Sequence, residues 1–375
     1  MKKIEMVDLK SQYQKIKTEV DAAMQEVVTN AQFIQGPMVK KFTTQLADYL
    51  KTDHVIPCAN GTDALQICLM ALDLQPGDEV ISTSFTYFAT VEVIGLLKLN
   101  AVFVDVDSGS FAMNVQELEK AISPKTKAIV PVHLYGQCAN MEEILAIANK
   151  HGIPVIEDCA QAIGADYTFS DGRKCKAGTM GTMGCTSFFP SKNLGGYGDG
   201  GAIFTNDDSL ASKLKMIANH GQSVKYYHDV IGCNSRLDSL QAAVLGVKLK
   251  YLDEYISSRQ AAADYYDHAF ANHPSIQIPE RVTWSNHVFH QYTLKIEGDR
   301  NGLQKHLEEK GIPSMLYYPV PCHRQKAFLN KSRIVGDLNT TDWLTERVIS
   351  LPMHTELEEE QLKYITQSVL EFFNP

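Results

Sequence analysis

The feature that most constrains the fold is an alternation of short apolar runs with amphipathic segments in the first half of the chain. The apolar runs are residues 55–57, 79–83, 101–106, 128–133 and 154–157, and the amphipathic segments are residues 62–72, 89–99, 115–122 and 141–151. Every run after the first is apolar nearly throughout, which is typical of parallel strands covered by helices on both faces. The pattern predicts an α/β fold, with a three-layer α/β/α domain around a mostly parallel sheet.

The pattern changes in the second half of the chain. Strands are predicted at residues 186–189 and 201–204 with no helix between them, and one long helix from residue 235 through 255 towards 266. A strand at 291–296 and helices at 302–310 and 358–373 then indicate α+β packing. We therefore predict a large domain over residues 1–245, which includes an N-terminal helix, and a smaller C-terminal domain over residues 246–375.

Composition excludes several classes of protein. The chain has 375 residues, a formal net charge of −9 and 44% hydrophobic residues, which argues for an ordinary globular protein and against nucleic acid as the main partner. Residues 1–8 lack the apolar run of a signal peptide, and charged residues interrupt the most apolar stretch, 91–106, so no membrane association is expected. The eight cysteines are scattered, which predicts reduced thiols in a cytoplasmic protein without a metal site.

Lys192 occupies an unusual place for a lysine. It lies in TSFFPSKNLGG (residues 186–196), where an apolar strand runs into a Pro-Ser corner and then a glycine-rich turn. An amine at the edge of a buried segment is partly desolvated, which lowers its pKa and makes it available to form a Schiff base with an aldehyde cofactor. Asp158, at the end of the strand in VIEDCAQ (residues 155–161), is a candidate for a buried, partnered carboxylate.

Other candidate residues follow the predicted strands. The run NGTD (residues 60–63) opens a helix after the first strand, so its N–H groups favour an anion such as phosphate; alternatively, Thr62 is only an N-cap. The run FTYF (residues 85–88) supplies either an aromatic ring for stacking or core aromatics. The run GYGDGG (residues 196–201) matches a dinucleotide-binding string, but it leads into a strand rather than a helix, and we reject a nicotinamide site.

Three motifs in this order, NGTDAL (60–65), EDCAQ (157–161) and SFFPSKN (187–193), resemble the DegT/DnrJ/StrS-type sugar aminotransferases. These are pyridoxal-phosphate enzymes of the aspartate aminotransferase fold (fold type I), and the resemblance covers almost the whole chain. Cys159 stands where the family usually has alanine, which is also small. The resemblance implies these cofactor contacts: a Schiff base at Lys192, pairing of Asp158 with the pyridine nitrogen, stacking by Tyr87, a contact from Gln161 to the phenolic oxygen, and phosphate binding by Gly61, Thr62 and Ser187.

The resemblance also implies a homodimer with shared active sites. The segment GCNSRLD (residues 232–238) looks like the one that such enzymes donate to the other subunit, which makes Asn234 a cofactor residue and Arg236 a substrate residue. In YYPVPCHR (residues 317–324), Tyr317, Tyr318 and His323 are candidates for the sugar, although the tyrosines could equally pack between domains. For three further residues a functional and a purely structural role are both open. Lys225 and Arg324 either bind the diphosphate or are solvated surface residues, and His133 either lies near the cofactor or is a hydrogen-bonded core residue.

The implied activity is transfer of an amino group, usually from L-glutamate, onto a keto nucleotide sugar, with ping-pong kinetics. The run from residue 221 to 243 is closest to the branch that acts on 3-keto substrates such as UDP-2-acetamido-3-keto-glucuronate or dTDP-3-keto-6-deoxyhexoses. One alternative is a sugar dehydratase or lyase on the same fold, but such relatives replace the lysine by histidine. Another is a catalytically silent, cofactor-binding regulatory protein, which the set of Lys192, Asp158 and Gln161 disfavours.

Overall fold

A computed structural model describes residues 2–329 and 331–373. Its helices are α1 (Leu9–Asn30), α2 (Pro37–Leu50), α3 (Gly61–Ala71), α4 (Ala89–Leu96), α5 (Val115–Ala121), α6 (Met141–His151), α7 (Asp208–Ala218), α8 (Ser239–Leu249), α9 (Leu252–Phe270), α10 (Arg300–Glu309), α11 (Asn339–Arg347) and α12 (Glu359–Phe373). Within the described residues, no helix combines the length and the apolar character that crossing a bilayer requires.

The strands divide between one large sheet and several small ones. They are β1 (His54–Cys58), β2 (Glu79–Thr83), β3 (Asn100–Val104), β4 (Thr126–Val130), β5 (Ile156–Asp158), β6 (Asp166–Thr168), β7 (Lys174–Lys176), β8 (Met183–Ser187), β9 (Gly201–Thr205), β10 (Gln222–Val224), β11 (Tyr227–His228), β12 (Ile276–Gln277), β13 (Tyr292–Ile296), β14 (Ser332–Ile334) and β15 (Val348–Leu351).

The large sheet is mostly parallel, as predicted. Four strands in the order β1-β9-β8-β5 and four in the order β14-β3-β2-β4 meet where parallel bridges, Ile129 to Val155 and Val132 to Asp158, place β4 beside β5. Only β9 is antiparallel to its neighbours in this sheet, since it pairs antiparallel with both β1 and β8. Because the other strands share one direction, their carboxyl ends gather at one edge, where ligands of such sheets bind.

Helices cover both faces of this sheet. Neighbouring residues of β2 point to opposite faces, so Val80 packs in a core with α3, α4 and α7, whereas Ile81 packs in a core with α2, α5, α6 and α8. Both side chains are fully buried. The predicted three-layer arrangement is therefore confirmed, and it explains why these strands are apolar on both sides.

Two features depart from the predicted elements. The single long helix predicted from residue 235 is wrong, because α8 ends at Leu249 and α9 begins at Leu252. Between them Tyr251 adopts φ −104° and ψ 1°, and its hydroxyl bonds to Glu19 of α1. The strand predicted at residues 186–189 ends at Ser187, so Phe188 and Phe189 belong to the following loop.

The C-terminal part contains a small antiparallel sheet in the order β12-β13-β15. Its core is formed with α9, α10 and α12, where Tyr266, Leu303 and Ile365 are fully buried. An unpredicted strand, β14, leaves this part of the chain and pairs in parallel with β3 of the large sheet. The division of the chain between residues 245 and 246 stays a prediction; β14 lies after it in the sequence, although it pairs with a strand that lies before it.

Candidate active site

A cavity of about 600 Å³ opens where the carboxyl ends of the parallel strands meet. Loops that follow β1, β2, β4, β5 and β8 contribute to its wall, together with residues that precede β13 and residues of the 317–318 segment. The structure brings together most of the residues that the sequence singled out. Those that line the cavity are Gly61, Thr62, Tyr87, Asp158, Gln161, Ser187, Lys192, Tyr317 and Tyr318.

Lys192 is carried on a tight loop between β8 and β9. The loop is closed by two backbone hydrogen bonds of 2.8 Å, from Lys192 N–H to the Phe189 carbonyl and from Gly196 N–H to the Phe188 carbonyl. The residue as a whole is half-buried, but its amine is surrounded by protein. Burial lowers the pKa of Lys192 from 10.5 to about 8, and the negative charge of Asp158 opposes this shift. The amine is thus available as a nucleophile and base near neutral pH.

Asp158 is the buried, partnered carboxylate that the sequence predicted. It is 6% exposed at the end of β5. The hydroxyl of Thr90 donates a 2.8 Å hydrogen bond to its Oδ2, and the N–H of Ala160 donates one of 3.1 Å to its Oδ1. Both donors fix the orientation of this carboxyl group, whose negative charge would favour a protonated pyridine nitrogen.

The start of α3 and Ser187 form a cradle for an anion. Asn60 is the N-cap, because its side chain accepts a 2.8 Å hydrogen bond from Asp63 N–H; the alternative in which Thr62 is the N-cap is wrong. A Cβ on Gly61 would lie 2.7 Å from Ser187 Cβ, so only glycine permits this approach. The N–H groups of the first helical turn and the hydroxyls of Thr62 and Ser187 fit the phosphate of pyridoxal phosphate.

The aromatic run after β2 divides between core and cavity. Phe85 is fully buried, whereas Tyr87 is 60% exposed at the cavity. The ring of Tyr87 lies 6.1 Å from that of Tyr318 with an interplanar angle of 41°. An exposed ring at this place is suited to stacking on a planar cofactor, and stacking by Tyr87 stays a prediction, whereas Phe85 is a core residue.

Gln161 links two walls of the cavity. Its Oε1 accepts a 2.8 Å hydrogen bond from Tyr135 N–H, and its Nε2 donates one of 3.0 Å to the Tyr318 hydroxyl. Because a backbone N–H must face an acceptor, the first bond fixes the orientation of the amide. The second N–H of Nε2 remains for a ligand oxygen, consistent with the predicted contact to the cofactor.

Three predicted site residues do not line the cavity: Asn234, Arg236 and His323. Asn234 is exposed and Arg236 half-buried, and they flank Ser235, whose hydroxyl accepts a 3.0 Å hydrogen bond from Ala59 N–H. His323 faces Ser84, with 2.7 Å between its Nδ1 and the serine Oγ. Ser84 contacts one ring nitrogen of His323, and the sugar contact expected for this residue stays a prediction.

In a single chain His133, Arg324 and Lys225 have structural or surface positions rather than positions in the cavity. His133 is fully buried and pairs with the carboxylate of Glu157 at 2.8 Å, so it is a core residue. Arg324 pairs with Asp342 on the surface. Lys225 lies over the ring of Tyr226, 5.2 Å from its centroid, in an exposed hairpin.

Sequence reasoning missed Thr90, Asp199, His290 and Gln291, of which the last three line the cavity. Thr90 lies in the first turn of α4 and carries no local sequence signal that points to Asp158. His290 and Gln291 lie just before β13, far along the chain, and carry no local signal.

The GYGDGG string, which we rejected as a nicotinamide site, does lead into a strand. A Cβ on Gly201 would lie 2.4 Å from the Asn60 carbonyl oxygen, so the backbone is closely packed there.

A sequence profile of the DegT/DnrJ/EryC1/StrS aminotransferase family matches residues 14–370. This chain belongs to that family. The family member described here is 47% identical to the UDP-2-acetamido-2-deoxy-3-oxo-D-glucuronate aminotransferase of Pseudomonas aeruginosa, over 96% of this chain and 98% of that protein. It is 46% identical to a pleiotropic regulatory protein of Geobacillus stearothermophilus, over 99% of this chain and 98% of that protein.

Among solved structures, DesV of S. venezuelae in complex with a ketimine intermediate superimposes with a TM-score of 0.95 and 37% identity, covering both chains completely. These similarities confirm three predictions: the fold is that of the pyridoxal-phosphate enzymes of fold type I, the cofactor is pyridoxal phosphate, and the activity is that of a nucleotide-sugar aminotransferase.

Proposed function

We propose that this enzyme transfers the amino group of L-glutamate to a 3-keto nucleotide sugar, as a cytoplasmic homodimer that serves amino-sugar or surface-polysaccharide synthesis. One observation carries the proposal: the Lys192 amine, with a pKa of about 8, shares a cavity with the carboxylate of Asp158 and with the anion cradle at Gly61 and Ser187. These are the groups that an aminotransferase needs to hold its cofactor and move a proton.

Each residue has a chemical task. Bound pyridoxal phosphate supplies an electron sink for the substrate carbon that loses a proton. The charge of Asp158 would favour a protonated pyridine nitrogen, and the hydrogen bond from Thr90 fixes the position of that carboxylate. Lys192 Nζ accepts and returns the proton, because its lowered pKa leaves a substantial neutral fraction near pH 8.

The sugar is assigned to the part of the wall formed by His290, Gln291, Tyr317 and Tyr318. These residues present neutral hydrogen-bonding groups, which match the hydroxyls of a sugar. The 3-keto position rests on the 3-oxo substrate in the name of the Pseudomonas aeruginosa relative and on the sequence of residues 221–243.

Charge and exposure support the proposed dimer. In the described part of the chain, Lys192 is the sole cationic side chain that lines the cavity, although a glutamate donor and a nucleotide diphosphate are both anionic. Arg236 lies near a hairpin, β10–β11, with large exposed apolar residues: Val224, Tyr226 and Tyr227 are 64%, 79% and 70% exposed. We infer that a second copy covers this hairpin and that Asn234 and Arg236 of one copy complete the site of the other.

The substrate is tested by running the reaction in reverse. A panel of 3-amino and 4-amino nucleotide sugars is mixed with the cofactor-loaded enzyme, and the visible absorbance of the bound cofactor is followed before and after 2-oxoglutarate is added. We expect 3-amino compounds to change the spectrum and 2-oxoglutarate to restore it. A response to the 4-amino compounds alone would reject the 3-keto assignment. Lys192→Ala is the control in which no complete cycle, with restoration of the spectrum by 2-oxoglutarate, should occur.

The shared site is tested by complementation. Lys192→Ala and Arg236→Ala variants, each inactive alone, should regain activity when they are mixed and allowed to exchange subunits, because one site of the mixed dimer keeps both residues. A mixture that stays inactive despite verified exchange would show that the two residues act in the same chain.

A second function is favoured by the Geobacillus stearothermophilus relative, which is named a regulatory protein. A silent regulator would bind pyridoxal phosphate but release no 2-oxoglutarate from glutamate. Measuring the keto acid released in a single turnover separates the two functions. Stoichiometric release supports the aminotransferase, and no keto acid from glutamate or from any other amino acid supports the regulator.

A further inference from the structure

Lys248, on α8, is a buried lysine outside the cavity. It is 1% exposed, and among the residues that the structure describes no carboxylate forms an ion pair with it. Burial, followed by repulsion from Arg259, lowers the pKa of Lys248 to about 7. An unpaired ammonium in the interior destabilises the folded state, so a lysine here is unfavourable unless it makes a specific contact.

That contact is with the loop that carries Lys192. Lys248 Nζ donates a 2.6 Å hydrogen bond to the carbonyl of Gly195. Gly195 is where the loop closes on itself, since a Cβ there would lie 2.2 Å from the Pro190 carbonyl oxygen. Lys192 lies between these two closing residues, and its own side chain must extend from this loop to the cavity.

The same helix holds the next part of the loop. Gln241, two helical turns before Lys248, accepts a 2.7 Å hydrogen bond from Tyr197 N–H. On the other side, Asn193 donates a 3.0 Å hydrogen bond to the Val288 carbonyl. The loop is therefore fixed by three side chains, of which Lys248 contacts the closing point itself.

We propose that Lys248 is a positioning residue for Lys192: by holding the Gly195 carbonyl it fixes the loop from which the catalytic amine reaches the cavity. This rests on the role of Lys192 in the proposed function. Loss of the contact lets the loop relax towards solvent, so the amine moves away from its reacting position in both halves of the reaction. A displacement of about 1 Å is enough to slow such a step by roughly 100-fold.

The test uses Lys248→Met, which keeps the length of the side chain and removes the donor, with Lys250→Met as a matched control. Lys250 lies two residues further on, is 56% exposed and pairs with Glu19 on the surface. In Lys248→Met we expect both half-reactions to slow roughly 10- to 100-fold, with KM for donor and acceptor unchanged. The control should match the wild type. A KM effect confined to one substrate would overturn the proposal.

A second readout needs neither cofactor nor substrate. The cofactor-free protein is labelled briefly with acetic anhydride over a range of pH, and the modification of Lys192 is quantified by mass spectrometry. The midpoint should lie near the pKa of about 8 in the wild type and rise towards 10.5 in Lys248→Met, because the amine becomes hydrated. Lys248→Gln, which keeps a donor on a shorter side chain, should give a smaller rise and is the variant to use where methionine prevents folding.

The outcomes separate the two ideas. A lower melting temperature with an unchanged labelling midpoint and unchanged kcat means that Lys248 only supports the fold, and it overturns the proposal. A raised midpoint in a protein whose wild type aminates no nucleotide sugar supports the positioning of Lys192 and rejects the proposed function.

Discussion

The hydroxyl of Thr90 lies 2.8 Å from Oδ2 of Asp158, and the hydroxyl of Thr86 lies 3.0 Å from that of Thr90. Thr86 lies in the loop before α4 and Thr90 in the first turn of that helix, and together they form a short chain of hydroxyls that ends on the carboxylate. Asp158 thus has a fixed partner on α4 as well as the backbone donor from Ala160.

We expect Thr90→Val to reduce activity without unfolding the protein. The substitution keeps the shape of the side chain but removes a hydrogen bond to a charged group, which contributes about 1.5–3 kcal/mol and corresponds to roughly a 10- to 100-fold slower donor half-reaction. Single-turnover kinetics with glutamate measure the effect. Thr43→Val, at an exposed hydroxyl on α2 that bonds only to the Lys40 carbonyl, is the control. Wild-type rates in Thr90→Val would contradict the role given to this hydrogen bond.

The lowered pKa of Lys192 predicts a pH dependence of stability in the cofactor-free protein. In the folded state the amine loses its proton near pH 8, whereas in the unfolded state it keeps it to about 10.5. The unfolded state therefore binds more protons between these values, so the contribution of this group to stability rises as the pH rises from about 8 towards 10.5. Below about pH 8 the amine is charged in both the folded and the unfolded state, so its unfavourable contribution to the free energy of unfolding no longer changes with pH.

Urea unfolding at several pH values compares the wild type with Lys192→Met, which lacks the titrating group. The unfolding free energy of the wild type minus that of Lys192→Met should rise as the pH increases above about 8, and it should be constant below that pH. Asp158→Asn should move the onset to lower pH, because the charge that raises the pKa of Lys192 is gone. Parallel pH profiles for the wild type and Lys192→Met would contradict the assignment.

Gly61→Ala should weaken cofactor binding. The new Cβ would meet Ser187 Cβ at 2.7 Å and Ser187 Cα at 3.2 Å, so α3 and β8 must separate and the anion cradle widens. We expect the dissociation constant of pyridoxal phosphate, measured by absorbance titration, to rise at least about 10-fold, since bonds to charged groups are lost. Gly246→Ala in α8 is the control: its Cβ meets only Gln45 Oε1 at 3.5 Å, and the change should leave affinity intact and stabilise the helix by roughly 0.5–1 kcal/mol. Equal affinities in the two variants would argue against the cradle.

Glu157→Gln should destabilise the fold rather than alter the chemistry. The carboxylate accepts hydrogen bonds from the N–H groups of Gly178, Met180 and Gly181 and from His133, whose other ring nitrogen accepts from Ala139 N–H. An amide NH₂ would face one of these donors, which costs about 1–3 kcal/mol. Urea unfolding measures the change against Glu26→Gln at an exposed position of α1. Unchanged stability would mean that the network rearranges without penalty.

Much of the large domain was predictable because its signals are local. The runs around β2 and α6 match the sequence pattern to the residue, and burial of β2 on both faces explains its uninterrupted apolar character. The break between α8 and α9 was not predictable, since no proline or glycine marks it and the cause is the contact of Tyr251 with α1. Strand β14 was missed because three residues give no periodicity, and its partner β3 lies more than two hundred residues earlier.

The site shows the same division. Lys192, Asp158 and Gly61 are marked by what surrounds them in the sequence, and the structure places them together. His290 and Gln291 reach the cavity only through the packing of the segment before β13 against Tyr135 and Gly136. His323 follows Tyr317 and Tyr318 in one motif, but it does not line the cavity and its Nδ1 faces Ser84.

The return of β14 to the large sheet has a mechanical consequence. Arg333 on that strand pairs with Glu79 of β2 at 2.8 Å, so the strand is fastened across its neighbour as well as along it. The C-terminal part of the chain is therefore tied to the sheet of the N-terminal part by backbone pairing and by an ion pair. Truncation near residue 245 would expose the backbone edge of β3 and favour association between copies, so residues 1–245 alone are expected to be a poor substitute for the whole enzyme.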